Sequence, residues 1–279
     1  LLPDRAKELN DSLLLMYTGI QRTASDIAGS YINDLPARER LALGREVAAL
    51  AAGAGARLIV NGDPELADAL GVETFTIVGH DWGGAIAWGV ALGGQMNGRV
   101  TRCVIANAPH PAIFQKLLFT DPNQRESSQY IRGFRDTAND DLVREHGLVG
   151  ILMKEVRWDR PDAMEAEERE PLLKDWQARD AAFGMLNWYR ASPMIVPPMD
   201  APFEVPADYQ PPQLPNLSIP TLVIWAMDDL ALPPGNMVGM DEIIDDLTIE
   251  KVTGCGHFVP WESPAKVNAA MDAFLGRTA

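Results

Sequence analysis

Cysteine is scarce in this chain: two residues, Cys103 in an apolar run and Cys255 between glycines, with no CxxC or CxxH spacing to hold zinc. That excludes a disulfide framework, and both read as reduced thiols. Basic charge is also short. The 24 Lys and Arg against 39 Asp and Glu leave a formal charge of -15, which repels phosphate backbones and anionic lipid surfaces. No nucleic-acid or membrane partner is expected. Long apolar runs are missing too, since nothing approaches the roughly 18 to 20 consecutive apolar residues of a membrane span. Leu1 to Asp11 lacks the basic-then-apolar pattern of a secretion signal, so a cytoplasmic location is the expectation. Histidine, finally, occurs only four times, which narrows any search for a general base.

What is present is a chain of 279 residues, 47% hydrophobic and 23% charged, enough for one substantial core. Short apolar runs at Leu13–Tyr17, Arg57–Val60, Phe75–Val78, Val100–Ala106, Thr221–Trp225 and Leu247–Val252 read as buried parallel strands. Glu39–Ala52, Ala85–Gly93 and Pro264–Phe274 carry apolar residues at helical spacing between them. The alternation predicts an α/β fold, a mostly parallel sheet with helices on both faces. From about Phe114 to Met194 the alternation stops: the stretch is charged, helix-rich and without a convincing strand, and reads as an inserted helical lid. A proline-rich passage from Pro197 to Pro220 then leads back, in which neither helix nor central strand can persist. The expected division is residues 1–113 and 197–279 as the two parts of one α/β core, with 1–65 atypical, and 114–196 as the lid.

The segment Phe75 to Gly84 runs from a β-branched strand into a helix of small residues and contains Gly79-His80-Asp81-Trp82-Gly83. A G-x-Asp-x-G of this kind has the form of a nucleophile elbow with aspartate where esterases carry serine. Only glycine fits at the flanks of so tight a turn, and the nucleophile is forced out over the sheet edge. The alternative for Asp81 is a plain helix N-cap. A carboxylate nucleophile attacks a strained or activated sp³ carbon to give an ester, so substrates with an electrophilic carbon are implied. The backbone N–H of Trp82 would then help to hold an oxyanion at the helix start.

Gly256-His257-Phe258 lies between the last strand and the last helix, which makes His257 the candidate base. His80 and His110 adjoin site segments and are read as shaping them; His146, in the charged lid, reads as solvated. After the strand Thr221–Trp225 come Asp228 and Asp229, either of which could orient the imidazole, and Asp229 is preferred. The chain order Asp81, Asp229, His257 is nucleophile, acid, base. No arrangement calls for a metal or an organic cofactor.

Four blocks in this order, Val78-Gly79-His80-Asp81-Trp82-Gly83-Gly84, Asn107-Ala108-Pro109-His110-Pro111, Leu186-Asn187-Trp188-Tyr189-Arg190 and Gly256-His257-Phe258, resemble the epoxide hydrolase branch of the α/β-hydrolase superfamily over about residues 66–275. The resemblance implies an α/β-hydrolase fold and two lid tyrosines that donate hydrogen bonds to the epoxide oxygen. Tyr189 stands at one such position, and Tyr130, in Ser-Gln-Tyr-Ile-Arg-Gly-Phe, is taken for the other. Without the resemblance both tyrosines read as packing residues.

The N-terminal third departs from that family, which carries a His-Gly-x-Pro loop that is absent from this sequence. Asn10 to Ile32 resembles a segment of GHMP-superfamily sugar kinases, and Arg38 to Gly71 resembles part of thiamine-phosphate synthases. Neither stretch is long enough to bring its parent's active site. Thr18-Gly19-Ile20 would replace the missing loop, with the Ile20 N–H as second oxyanion donor. The implied activity is hydrolysis of an apolar epoxide to a vicinal diol through an Asp81 ester. The alternatives are haloalkane dehalogenation, in which the Trp82 indole would serve the halide, and a non-catalytic or inactive hybrid binding protein on the same fold.

Overall fold

A computed structural model describes the backbone of residues 13–16 and most of residues 73–155 and 179–276. The expected helix Glu39–Ala52, the expected strand Arg57–Val60 and Ile20 lie outside the described residues.

Five strands form one parallel sheet in the order β1 (Leu13–Met16), β2 (Phe75–His80), β3 (Val100–Ala106), β4 (Thr221–Ala226), β5 (Leu247–Val252). β1 takes the place expected for the first apolar run, its Leu14 in register with Ile77 of β2. β4 is buried along its whole length, as a strand covered on both faces must be. The side chains alternate accordingly. Ile77, Ile105, Val223 and Trp225 meet Ala87, Trp88 and Ala91 of α1 (Trp82–Gly94) in one cluster. Val78, Val104, Leu222 and Ile224 meet Val267 and Phe274 of the C-terminal helix, Pro264–Leu275, in another. The two clusters are the two faces of the sheet.

Between β3 and β4 the described residues form helices and no strand: α2 (Pro111–Thr120), α3 (Pro122–Ser127), α4 (Gln129–Arg135), α5 (Asp140–Glu155) and α6 (Arg179–Ala191). They have a core of their own, in which Phe134, Val143, Leu148, Ile151, Ala182 and Leu186 are buried. The proline-rich passage holds no regular element. It is pinned by Arg125, a fully buried guanidinium that donates to the carbonyls of Leu118, Phe119, Ala201 and Pro202 and lies on the Phe203 ring at 3.9 Å. A buried charge shared among carbonyl oxygens is satisfied where an unpaired one would be expelled.

Candidate active site

The turn from β2 into α1 puts Asp81 at φ 53°, ψ −124°, a conformation that L residues adopt only under constraint. The constraint is steric. A Cβ on Gly79 would lie 2.4 Å from the Gly83 carbonyl oxygen, and one on Gly84 would lie 2.2 Å from the Ala108 Cβ. Glycine at these positions lets the strand, the turn and β3's exit close on one another. Asp81 stands at the N-cap position of α1 yet makes no side-chain capping bond. Its carboxylate points elsewhere: Oδ1 accepts from Nε2 of His257 at 3.1 Å.

The opposite nitrogen of that imidazole, Nδ1, donates to Oδ2 of Asp229 at 2.8 Å. Asp229, 4% exposed, is itself fixed by three further donors. Oδ1 accepts from the N–H groups of Ala231 and Leu232 at 2.8 and 2.9 Å, and Oδ2 from Nδ2 of Asn107 at 2.6 Å. Asp228 turns the other way, exposed, its Oδ2 accepting from the Gly254 N–H at 2.9 Å.

The electrostatics follow from two carboxylates on one imidazole. Burial works to lower the pKa of His257, but the charge and hydrogen bond of Asp229, with those of Asp81, outweigh it and raise the pKa well above 6.5. For Asp81 burial works upward. The His257 hydrogen bond and charge, the His80 ring and the Trp82 backbone N–H prevail, and the carboxyl is held down at about 2. The resting pair is therefore carboxylate and imidazolium. His80 is pushed down to about 4, first by burial and then by the His257 charge, so it is neutral. Its Nε2–H donates to the His257 backbone carbonyl at 2.8 Å.

Tyr130 on α4 and Tyr189 on α6 approach this group from the helical segment. Burial raises both phenols above their ordinary pKa, and the Asp81 charge adds to it, so both stay protonated donors beside the carboxylate. The two tyrosine rings stand edge-on to each other at 6.0 Å. The Tyr189 ring stands edge-on to Trp82 at 5.2 Å, and Trp188 tilts over Trp82 at 6.1 Å.

Of the residues singled out in the sequence, the structure thus brings Asp81, Trp82, Tyr130, Tyr189, Asp229 and His257 together. His110 is buried at 2% exposure and packs edge-on to Trp88 at 5.3 Å; its Nδ1 has no hydrogen-bond partner among the described residues, and burial pushes its pKa down to about 4. His146 is exposed beside Glu145. No group of three His, Cys, Asp or Glu side chains that could hold a metal ion occurs among the described residues.

Two residues at the site were not singled out. Asn107, fully buried at φ 38°, bridges the Asp229 carboxylate and the Ala226 N–H, which its Oδ1 accepts at 2.8 Å. Glu262 accepts from the N–H groups on either side of the base, Gly256 at 2.6 Å and Phe258 at 3.1 Å. Asn107 stands in a block already quoted and Glu262 four residues beyond another, but only the fold shows what each side chain grips.

A family model described as alpha/beta hydrolase fold matches residues 63–264. Over 227 residues the chain is 24% identical to epoxide hydrolase 3 of Xenopus tropicalis, a match covering 76% of this chain and 55% of that one. The chain spans about half the length of the first curated relatives it matches. A solved structure from a set of novel epoxide hydrolases of the alpha/beta hydrolases superfamily, found in metagenomes from hot environments, is 74% identical with a TM-score of 0.74, covering 76% of this chain and 71% of that one. Bacillus megaterium epoxide hydrolase in complex with an inhibitor shares the fold at 19% identity and a TM-score of 0.64, covering 95% and 92%.

Proposed function

The chain belongs to the alpha/beta hydrolase fold family, on its epoxide hydrolase branch, and from that premise we propose that it hydrolyses apolar epoxides to vicinal diols through an ester on Asp81. The observation that carries the reading is the placing of two phenols, Tyr189 edge-on to Trp82 at 5.2 Å and Tyr130 edge-on to Tyr189 at 6.0 Å, next to a carboxylate that is itself paired to a His–Asp couple. An epoxide needs both. Its carbon takes a nucleophile, and its oxygen leaves as a strongly basic alkoxide that must be met by a donor.

In this reading an Asp81 oxygen attacks a ring carbon in line with the breaking C–O bond, while the phenols of Tyr130 and Tyr189 hydrogen-bond the departing oxygen and supply its proton. The helices that carry the two tyrosines serve as the lid. Esterification removes the negative charge and the hydrogen bond by which Asp81 raises the pKa of His257. The imidazolium then gives up its proton more readily, to the tyrosinate left by ring opening, and the neutral ring, still oriented by Asp229, takes a proton from water. Hydroxide equivalent adds to the ester carbonyl and the Trp82 N–H receives the developing oxyanion; collapse breaks the bond to the alkyl oxygen, which takes the imidazolium proton and leaves as the diol, and the Asp81 carboxyl returns a proton to His257. Halide release would call on the Trp82 indole and on no phenol, and here the Tyr189 ring stands edge-on to that indole at 5.2 Å.

Ring opening needs Asp81, and ester hydrolysis needs His257, so the two steps separate on mutation. His257→Gln, mixed with styrene oxide, should show the added substrate mass by intact-protein mass spectrometry, while wild type yields diol and no halide from a haloalkane control. If wild type turns the epoxide over and folded His257→Gln stays at its native mass, the two-step scheme is wrong.

A further inference from the structure

The two tyrosines sit on separate helices, and each helix sends an arginine from its last turn to the other. Arg135, at the end of α4, donates through Nε to the carbonyl of Tyr189 at 2.7 Å, and through its two Nη groups to the carbonyls of Met194 and Ser192 at 2.8 and 3.0 Å. Arg190, in the last turn of α6, donates through Nε to the carbonyl of Phe134 at 3.0 Å and through Nη2 to Oδ1 of Asp140 at 2.5 Å. Each arginine thus takes the carbonyl of the residue next to the other arginine. These are end-of-helix carbonyls, orphaned by the helix's own hydrogen-bond pattern and at its negative pole, so a guanidinium satisfies charge and hydrogen bonding together.

Phe134 lies at the centre of the exchange. Its carbonyl holds Arg190, and its buried ring stands edge-on to Tyr130 at 5.3 Å and to Tyr189 at 4.9 Å. The tyrosine rings stand edge-on to one another at 6.0 Å. Sliding or rotating α6 against α4 therefore breaks the arginine bonds and separates the phenols in the same movement. Packing of rings alone leaves such sliding cheap, whereas a forked guanidinium bonded to three diverging carbonyls does not.

We propose that Arg135 and Arg190 are positioning residues that hold the hydroxyls of Tyr130 and Tyr189 in one geometry over Asp81, an inference that rests on the reading of those phenols as donors to the epoxide oxygen. It assigns the arginines to the ring-opening step alone. Ester hydrolysis runs on His257, Asp229 and the Trp82 N–H, which the arginines do not hold.

The test is rapid-mixing measurement of both steps with styrene oxide in Arg135→Gln, Arg135→Lys and Arg190→Lys, with melting temperature alongside. A displacement of an ångström at a reacting group slows chemistry by up to about 100-fold, so alkylation should fall roughly 10- to 100-fold with hydrolysis of the preformed ester unchanged. Lysine, a point donor, should restore only part of the loss at position 135. In a Tyr130→Phe/Tyr189→Phe background the arginine substitutions should slow alkylation no further. Alkylation at the wild-type rate in a folded Arg135→Gln, equal slowing of both steps, or the full loss persisting without the two hydroxyls overturns the assignment. Should Arg135→Gln not fold, Arg135→Lys and Arg190→Lys carry the same comparison. A Tyr130→Phe/Tyr189→Phe protein that alkylates like wild type removes the functional reading itself, and a normal tyrosine effect with silent arginines removes only this inference.

Discussion

The ends of the strands and the helices above them hold their polar groups in different ways. At the strand ends, Asp229 is fixed by the N–H groups of Ala231 and Leu232, and the loop of His257 by Glu262 on the N–H groups of Gly256 and Phe258. These bonds span two to six residues of one turn. In the helical segment the bonds that place Tyr130 and Tyr189 join residues 54 and 56 positions apart. The first group is therefore built mainly by local backbone geometry, to which Asn107 adds one bond from 122 residues away, and the second by the packing of one helix on another. Under the proposed function they also divide the chemistry: the strand ends hydrolyse the ester, and the helices help to open the ring.

The sharpest way to break that division is Asp229→Asn. An amide in place of the carboxylate cannot stabilise the imidazolium, and its NH2 can turn the ring to the wrong tautomer. Ester hydrolysis should fall by roughly 10⁴. Ring opening should persist, so the ester accumulates. Quenched-flow measurement of alkylation and of ester decay checks it; loss of both steps to the same degree would mean that Asp229 serves the whole site and not the base.

Removing both phenols tests the other half. Tyr130→Phe/Tyr189→Phe keeps the rings that pack against Phe134 and deletes only the hydroxyls, so alkylation should drop by about 10² to 10⁴ with ester decay and melting temperature unchanged. Single substitutions should lose less, because the remaining phenol still reaches the oxygen. A double mutant that opens epoxides at the wild-type rate would favour a plain Asp–His hydrolase.

The same contrast explains what the sequence disclosed. β3, the β4–β5 pair and the Asp81 turn are written in short apolar runs and in glycines whose absence of a side chain the turn requires, and such signals are local. α1 nevertheless starts at Trp82 and not at the expected Ala85, because Gly83 and Gly84 read as poor helix formers while the close approach of Ala108 demands glycine at position 84. Asn107 and Glu262 were beyond reach for a related reason. Nothing in Asn-Ala-Pro-His says that the amide will meet a carboxylate 122 residues later. Arg135 and Arg190 looked like ordinary charges on a polar stretch, since guanidiniums that hold distant carbonyls carry no periodic mark.

A smaller effect concerns His110, buried behind a local motif but tied to no local partner. Its pKa is about 4 in the folded protein against 6.5 for the free side chain. The unfolded chain thus binds a proton that the folded one refuses, so stability is retained above pH 6.5 and lost as pH falls toward 4. At 1.36 kcal/mol per unit the loss approaches about 3 kcal/mol. His80, also near 4, acts in the same direction. Urea unfolding of wild type and His110→Gln between pH 7 and 4 should show a shallower pH dependence in the mutant; parallel curves would mean that His110 is protonated in the fold.

The least effect is expected one residue from the greatest. Asp228 and Asp229 are chemically identical neighbours after the same strand, and the turn sends one to solvent and the other to His257. Asp228 accepts from the Gly254 N–H with Oδ2, and an asparagine carbonyl accepts the same bond. The charge that Asp228→Asn removes is exposed, where single charges are worth little, so stability should move by no more than about 0.5 kcal/mol. Both chemical steps should run at wild-type rates. This null result has a use: it separates the loss of a carboxylate as such from the loss of the one that faces the base. If Asp228→Asn slowed ester decay as Asp229→Asn is expected to, the orienting role would belong to the field of the whole turn, and the local hydrogen bond from His257 would not be what places the base.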